Sequence, residues 1–241
     1  MSNTAIGKRR AGSALLLIVL SLLVLWCFHR PNELVKKYGR QLYSKGNEEL
    51  IIRDFFQDKN AGFFVDVGAN HYRIESTTYF LEERLGWQGI AIDAAGDFEA
   101  GYLEHRKKTR FFCFYVSDRS DAEVDFYITQ KNYERRSSAN REWSAKYGKA
   151  EKTKVLTITL NDLLTKEGVS GFDLLSMDIE LAEPAALAGF DIEKYRPALV
   201  CIEFHKEVRQ SILDYFTKHG YGILEKYRRI DPANAYFAPL R

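Results

Sequence analysis

The sequence predicts an α/β fold in which helices cover a mostly parallel sheet. From about residue 48 to residue 220, short apolar strands alternate with segments of helical spacing. Such alternation is typical of βαβ units with right-handed crossovers. Four of the predicted strands end in or beside a carboxylate, and the first runs into a glycine turn followed by a helix. This arrangement is typical of the ligand-binding edge of an open α/β sheet.

Periodicity and turn residues define the individual elements. The predicted strands cover residues 63–67, 89–93, 110–116, 123–128, 155–159, 172–178 and 198–203. The predicted helices cover residues 48–56, 76–85, 98–106, 160–164, 184–188 and 208–219. Two closing strands at 221–227 and 235–238 are expected to form an antiparallel hairpin. Residues 129–152 are polar and aperiodic, which predicts either a lid over a substrate or a mobile surface insertion.

The N-terminal region predicts a membrane anchor. Residues 11–28 carry no charge and follow a basic tripeptide, and their length just spans a bilayer core. A cleaved signal peptide is the alternative, but the segment ends in LWCF rather than in an Ala-x-Ala-like site. The predicted organisation is a basic tail at 1–10, a transmembrane helix at 11–28, a juxtamembrane linker at 29–47 and a globular domain at 48–241.

Composition and charge limit the expected partners. A net charge of +2 over 241 residues argues against broad nucleic-acid binding, which needs a strongly basic face. Basic residues are more numerous after the predicted anchor than before it. The positive-inside rule therefore favours a single-pass membrane protein whose globular domain is cytoplasmic. The oligomeric state stays open.

The stretch FFVDVGAN at residues 63–70 carries the first ligand hypothesis. Asp66 lies two residues before Gly68, and the stretch lacks the further glycines of a dinucleotide-binding turn. A nicotinamide-dependent oxidoreductase is therefore disfavoured. A carboxylate at this position suits a ligand with a cationic, amino-acid-like part, such as S-adenosylmethionine. The alternative is that Asp66 caps the turn or the next helix.

Asp66, Asp93, Asp178 and Glu203 stand at the ends of four predicted strands. Because the carboxyl ends of parallel strands meet at one edge, these acids are expected to converge. Gathered carboxylates repel one another, so the site is expected to hold hydroxyls, an ammonium group or a metal. Asp93 is placed to accept the ribose hydroxyls of an adenosine, or else to cap the following helix.

Five sequence segments agree in order and spacing with one known family. They are VDVGAN at 65–70, LGWQGIAID at 85–93, TITLNDLL at 157–164, DLLSMDIE at 173–180 and RPALVCIE at 196–203. Together, over about residues 48–240, they resemble the FkbM family of methyltransferases. The resemblance implies a class I Rossmann-like fold, S-adenosylmethionine as methyl donor and, in most members, O-methylation.

The resemblance also implies roles for individual residues. The cofactor positions it implies are Asp66, Gly68 and Asn70 on the methionine side, Asp93 at the ribose, and Ser117 with Asp118 at the adenine. Ser117 and Asp118 also fit a simple turn. Asp178 and Glu180 fall in the family's Asp-x-Glu-Gly segment near the methyl group. Leu181 stands where the family usually has Gly, and is expected to narrow the crevice or to change the turn.

Methyl transfer to a hydroxyl is an in-line displacement that is helped by a base. The predicted catalytic residues are Asp178, Glu180 and His205, although His205 also fits the start of a helix. A divalent metal is an uncertain cofactor, and Asp178, Glu180 and Glu203 would supply oxygen ligands for it.

The predicted function is therefore membrane-anchored, S-adenosylmethionine-dependent O-methylation of a sugar, glycan or lipid-linked hydroxyl. The expected partners are the membrane and that acceptor. The alternative, motivated by Leu181, is a non-catalytic membrane-tethered adaptor that retains the fold.

Overall fold

The computed structural model describes residues 33–129 and 137–240. The chain divides into two units between Gly39 and Arg40. In the first unit, helix α1 spans Glu33–Tyr38, inside the predicted linker. The predicted anchor at 11–28 lies outside the described residues. Within the described ranges, no helix has the length and apolar character needed to cross a membrane.

The second unit is built on a seven-stranded sheet and a three-stranded sheet. Its strands are β1 (Phe63–Val67), β2 (Gln88–Asp93), β3 (Thr109–Cys113), β4 (Tyr115–Val116), β5 (Glu123–Thr129), β6 (Ala150–Ile158), β7 (Leu174–Met177), β8 (Leu199–Glu203), β9 (Tyr221–Ile223) and β10 (Asn234–Pro239). The large sheet has the order β3-β2-β1-β7-β8-β10-β9, and the small one has the order β4-β6-β5. In the large sheet β10 runs antiparallel to both of its neighbours, β8 and β9, and the other pairs of described strands are parallel. The predicted parallel sheet and its closing antiparallel hairpin are confirmed.

Helices connect the strands along the chain. They are α2 (Glu48–Phe56), α3 (Tyr79–Leu85), α4 (Glu99–His105), α5 (Arg141–Ala145), α6 (Leu160–Lys166), α7 (Glu183–Ala188), α8 (Ile192–Tyr195) and α9 (Arg209–Lys218). Short 3₁₀ turns cover Gly96–Phe98 and Glu225–Tyr227. The second of these turns replaces the end of the strand predicted at 221–227.

Two further element predictions need correction. The strand predicted at 110–116 is divided, because the chain leaves the large sheet after Cys113 and Tyr115 pairs with Thr157 of β6. The aperiodic stretch 129–152 contains regular structure in its described part, namely α5 and the first residues of β6.

The large sheet is covered on both faces. Phe64 and Val65 are consecutive in β1 and therefore point to opposite faces, yet both are fully buried. Leu174 and Leu175 in β7 follow the same pattern. Strands buried on both faces are typical of parallel sheets with helices on either side.

The strand order creates a crevice beside β1. From β1 the chain adds β2 and β3 on one side, and it later adds β7 and β8 on the other. In open α/β sheets, ligands bind outside the carboxyl ends of the strands at such a reversal. Val67 and Met177 are paired at the ends of β1 and β7, so the residues that follow them meet at this point.

Candidate functional site

A cleft of about 210 Å³ lies at the carboxyl ends of the central strands. On the same measure a cavity for one water molecule needs only about 10–15 Å³, so the cleft has room for a ligand. Seven of the predicted site residues line it: Asp66, Gly68, Asn70, Asp93, Asp178, Glu180 and Glu203. The predicted convergence of the four strand-end acids is therefore confirmed, while their individual roles stay predictions.

Gly68 makes the turn between β1 and the cleft. Its φ of +78° favours glycine, and a Cβ atom there would lie 1.8 Å from the carbonyl oxygen of Asp178. The backbone N–H groups of Gly68 and Ala69 both donate to the Ile92 carbonyl, at 2.8 and 3.1 Å. Only a residue without a side chain lets the three strand ends approach this closely.

Asp93 fixes the two turns on either side of it. Its Oδ2 accepts from the Asn70 backbone N–H and its Oδ1 accepts from the Ala95 backbone N–H, each at 2.9 Å. Each carboxylate oxygen can accept a further hydrogen bond. The side-chain Oδ1 of Asn70 is buried and has no hydrogen-bond partner among the described residues. The turn thus presents acceptors for a ligand that carries hydroxyl or ammonium donors.

Asp66 contacts the helix that follows its strand. It is buried, and its Oδ2 accepts a hydrogen bond of 2.7 Å from the hydroxyl of Thr78 at the start of α3. Burial raises the pKa of Asp66, while the Thr78 hydrogen bond and the nearby Arg106 oppose this shift. Asp66 therefore ties β1 to α3 at the wall of the cleft.

Ser117 and Asp118 lie next to the cavity wall. Among the described residues that line the cavity, Tyr115 and Val116 are present, whereas Ser117 and Asp118 are not. The Ser117 hydroxyl donates to Asp118 Oδ1 at 3.2 Å. Their proposed place at the adenine stays a prediction.

Leu181 adopts a backbone that glycine would adopt at low cost. Glu180 and Leu181 have φ values of 54° and 78°, both in the left-handed region. Each such residue costs about 1–2 kcal/mol. Leu181 is half-buried and is not among the described residues lining the cavity. It therefore does not narrow the crevice, which corrects one of the two expectations for this position.

The segment before β6 contacts Glu180. Trp143 Nε1 donates to Glu180 Oε2 at 2.7 Å, and the Ser138 hydroxyl donates to the Glu180 carbonyl at 3.1 Å. Sequence reasoning missed both residues. Asn140 was the available sequence signal, because asparagine is a preferred N-cap and could have predicted helix α5, which carries Trp143. Its side chain accepts a hydrogen bond from the Trp143 backbone N–H.

His205 joins the acids after β8. Its Nε2 lies 2.8 Å from Glu203 Oε1 and 3.7 Å from Glu180 Oε2. One potential ligand atom from each of these three residues lies within 4.8 Å of the other two. The predicted metal set of Asp178, Glu180 and Glu203 stays a prediction. Asp178 is exposed just after β7 and lies outside this closer cluster, which includes His205 instead.

Glu183 is a buried acid that sequence reasoning also missed. It is fully buried at the start of α7, and its Oε1 accepts from the Ile179 backbone N–H at 3.1 Å. Burial, with a smaller contribution from Asp178, raises the pKa of Glu183 to about 7. No sequence pattern distinguishes it from a solvent-exposed first-turn acid.

These features define a class of protein. An α/β sheet with a reversal of strand order beside β1, and an acid-lined cleft at that point, is typical of nucleotide- or nucleoside-binding enzymes. The family model for the methyltransferase FkbM domain matches residues 66–223, more than half of the chain. The chain therefore belongs to the FkbM methyltransferase family. This membership makes it an S-adenosylmethionine-dependent methyltransferase, the class that the sequence segments predicted.

Solved structures give weaker similarities. Precorrin-6y C5,15-methyltransferase from Geobacter metallireducens is 7% identical, with a TM-score of 0.46 and coverage of 80% of this chain and 87% of that one. A TehB-like methyltransferase from Corynebacterium glutamicum is 12% identical, with a TM-score of 0.44 and coverage of 85% and 92%. A methyltransferase from Geobacter sulfurreducens, solved with S-adenosyl-L-homocysteine, is 9% identical, with a TM-score of 0.39 and coverage of 84% and 79%. No curated protein matches the chain.

Proposed function

We propose that the chain is a membrane-anchored O-methyltransferase that acts on a hydroxyl of a sugar, glycan or lipid-linked acceptor. The observation that carries the proposal is that two groups of residues line the same cleft, one suited to the methyl donor and one suited to the acceptor. The turn at Gly68 and Asn70 with Asp93 forms one half, and Glu180 with Glu203 forms the other.

The first half suits S-adenosylmethionine. Asp93 is held in place by two backbone N–H groups, and a carboxylate at this strand end suits the ribose hydroxyls. The buried Asn70 Oδ1 is an acceptor for the methionine ammonium group. Phe114, Val116 and Phe126 add apolar wall to the same cavity, which suits an adenine ring.

The second half suits proton removal from the acceptor. In the proposed reaction the hydroxyl oxygen attacks the methyl carbon, and the carbon–sulfur bond breaks with its electron pair moving to sulfur. The products are a methyl ether and S-adenosylhomocysteine, and the hydroxyl proton passes to a base. Asp178 is the proposed base, because it lines the cleft beside Glu180 and is exposed to an incoming acceptor.

A membrane-proximal acceptor is inferred from the apolar segment at residues 11–28 and the basic residues after it. Protease protection of the full chain in sealed vesicles tests this part. A cytoplasmic domain should be digested without detergent, while a translocated domain should be digested only after detergent is added.

Methyl transfer is tested with methyl-labelled S-adenosylmethionine and membrane extracts of the source cells. Base-stable label in a glycan or lipid fraction supports the proposal, and Asp93→Ala should abolish that labelling. Asp214→Ala on the exposed side of α9 is the control. If no fraction gains label and the methyl donor does not bind, the non-catalytic adaptor is the better account.

A further inference from the structure

We propose that Glu180, Glu203 and His205 form a binding site for one divalent transition-metal ion. The role of the ion rests on the proposed function, whereas its binding does not. Glu203 ends β8, His205 follows two residues later, and Glu180 comes from the turn after β7. The donors therefore come from two adjacent strand ends rather than from one charged run.

The spacing of the donor atoms suits a single ion. Their ligand atoms lie within 4.8 Å of one another, with His205 Nε2 at 2.8 Å from Glu203 Oε1 and 3.7 Å from Glu180 Oε2. Donors bound at about 2.1 Å to one ion lie about 3 Å apart in cis positions and about 4 Å apart in trans positions. Movements of a few tenths of an ångström complete such a site.

The short contact between His205 and Glu203 lacks an aligned hydrogen bond, as expected of two side chains that share a cation. Nε2 is enclosed and, despite the 2.8 Å separation, forms no hydrogen bond of acceptable geometry with the described residues. An imidazole nitrogen and a carboxylate oxygen this close gain little without an aligned hydrogen bond. A cation bound by both atoms gives the short contact a favourable energy.

Burial places the donors away from bulk solvent. Glu180 and Glu203 are each only 8% exposed, so an ion between them would be largely shielded from water. Both residues also line the cleft, so an ion bound by them is reachable by an acceptor.

Neighbouring groups orient the donors. Trp143 Nε1 donates to Glu180 Oε2 at 2.7 Å, and its ring meets that of His205 edge-on at 4.9 Å. Such outer contacts are typical of metal sites and fix the ligand rotamers.

The donor set indicates which ion would bind. One nitrogen and two carboxylate donors favour Mn²⁺ or Zn²⁺, whereas Mg²⁺ and Ca²⁺ prefer sites made of oxygen ligands alone. The ion would bind the acceptor hydroxyl and lower its pKa.

The test measures Mn²⁺ binding to the full chain, without a polyhistidine tag and stripped of metal, in detergent micelles. Loss of the free Mn²⁺ electron paramagnetic resonance signal gives the stoichiometry and Kd. We expect one ion per chain, and at least tenfold weaker binding for both Glu203→Gln and His205→Gln. Glu193→Gln is the matched control, because Glu193 and His219 form a similar pair at 2.9 Å on the surface.

No binding by the wild-type chain at millimolar Mn²⁺ would overturn the site. Equal binding by the wild type and both site variants would do the same, since it would locate the ion elsewhere. Calorimetry of S-adenosylmethionine on the same samples verifies folding and separates the two proposals. Methyl-donor binding without Mn²⁺ binding refutes the metal site alone, whereas Mn²⁺ binding without methyl-donor binding refutes only the proposed function.

Discussion

Gly68 and Asp178 meet backbone to backbone where β1 and β7 end. The Asp178 carbonyl oxygen occupies the space that a Cβ atom at position 68 would need, at 1.8 Å. The contact brings the cofactor-side turn against the segment that carries Glu180. A defect at this one point should therefore disturb both halves of the cleft.

Gly68→Ala is expected to abolish methyl-donor binding and to lower the free energy of unfolding by at least about 2 kcal/mol. The left-handed backbone alone costs a non-glycine residue about 1–2 kcal/mol, and the clash adds to that. Urea unfolding and calorimetry measure the two effects. Gly220→Ala is the matched control, because Gly220 has φ +71° with open space around its Cβ position. Equal losses in both variants would show that the Asp178 contact is unimportant.

Leu181→Gly is expected to leave methyl-donor affinity within threefold of the wild type. The substitution relieves about 1–2 kcal/mol of left-handed backbone strain, which the flexibility of glycine in the unfolded chain offsets by roughly 0.5–1 kcal/mol. Stability should thus rise slightly. Arg196→Gly is a control, because Arg196 also has a left-handed φ, 44°, and does not line the cleft. Binding that appears only after Leu181→Gly would favour the adaptor hypothesis.

Trp143→Phe is expected to weaken Mn²⁺ binding and to cost about 1.5–3 kcal/mol of stability, because it removes a hydrogen bond to a charged, buried group. Trp87→Phe is the matched control, since Trp87 Nε1 donates to the Lys59 carbonyl at 2.7 Å. The control should lose stability but keep its affinity for Mn²⁺. Unchanged Mn²⁺ affinity in Trp143→Phe would show that the indole does not orient Glu180.

Glu183 should make stability fall as the pH rises. Its pKa in the folded chain is raised from 4.5 to about 7, so between these values the folded state holds a proton that the unfolded state has lost. The contribution of Glu183 to the free energy of unfolding is fully present below pH 4.5 and is lost by about pH 7. The free energy of unfolding falls by about 3 kcal/mol over this range.

Glu183→Gln should therefore flatten the pH profile of stability between pH 4.5 and 7 and raise stability above pH 7. Glutamine keeps an acceptor for the Ile179 backbone N–H. Chemical unfolding at a series of pH values measures the difference, with the exposed Glu193→Gln as control. Parallel profiles for the wild type and Glu183→Gln would contradict the shifted pKa.

The periodicity of apolar residues predicted the strands and helices whose bounds depend on nearby residues alone. The strand at 63–67 and the helix at 48–56 have the predicted bounds, because short apolar runs and helical spacing reflect burial directly. The strand-end acids followed from topology, since parallel strands bring their carboxyl ends together.

The remaining features depend on contacts between distant segments. The strand break after Cys113 exists because Tyr115 pairs with Thr157, 42 residues further along. Trp143 reaches Glu180 only because the described part of the segment before β6 folds back onto the site. The meeting of His205 with Glu180 and Glu203 depends on backbone turns that no periodicity encodes.

Methyl-donor binding tests most directly whether the cleft beside β1 is a cofactor site. Calorimetry of the full chain in detergent should show S-adenosylmethionine and S-adenosylhomocysteine binding with Kd values below about 1 mM. Asp93→Ala should weaken both by at least about tenfold, because it removes the hydrogen bond that holds the Asn70 turn and the proposed acceptor for the ribose hydroxyls. Asp214→Ala should change neither. Folded wild-type protein that binds neither ligand, or that binds them equally well after Asp93→Ala, would contradict the account.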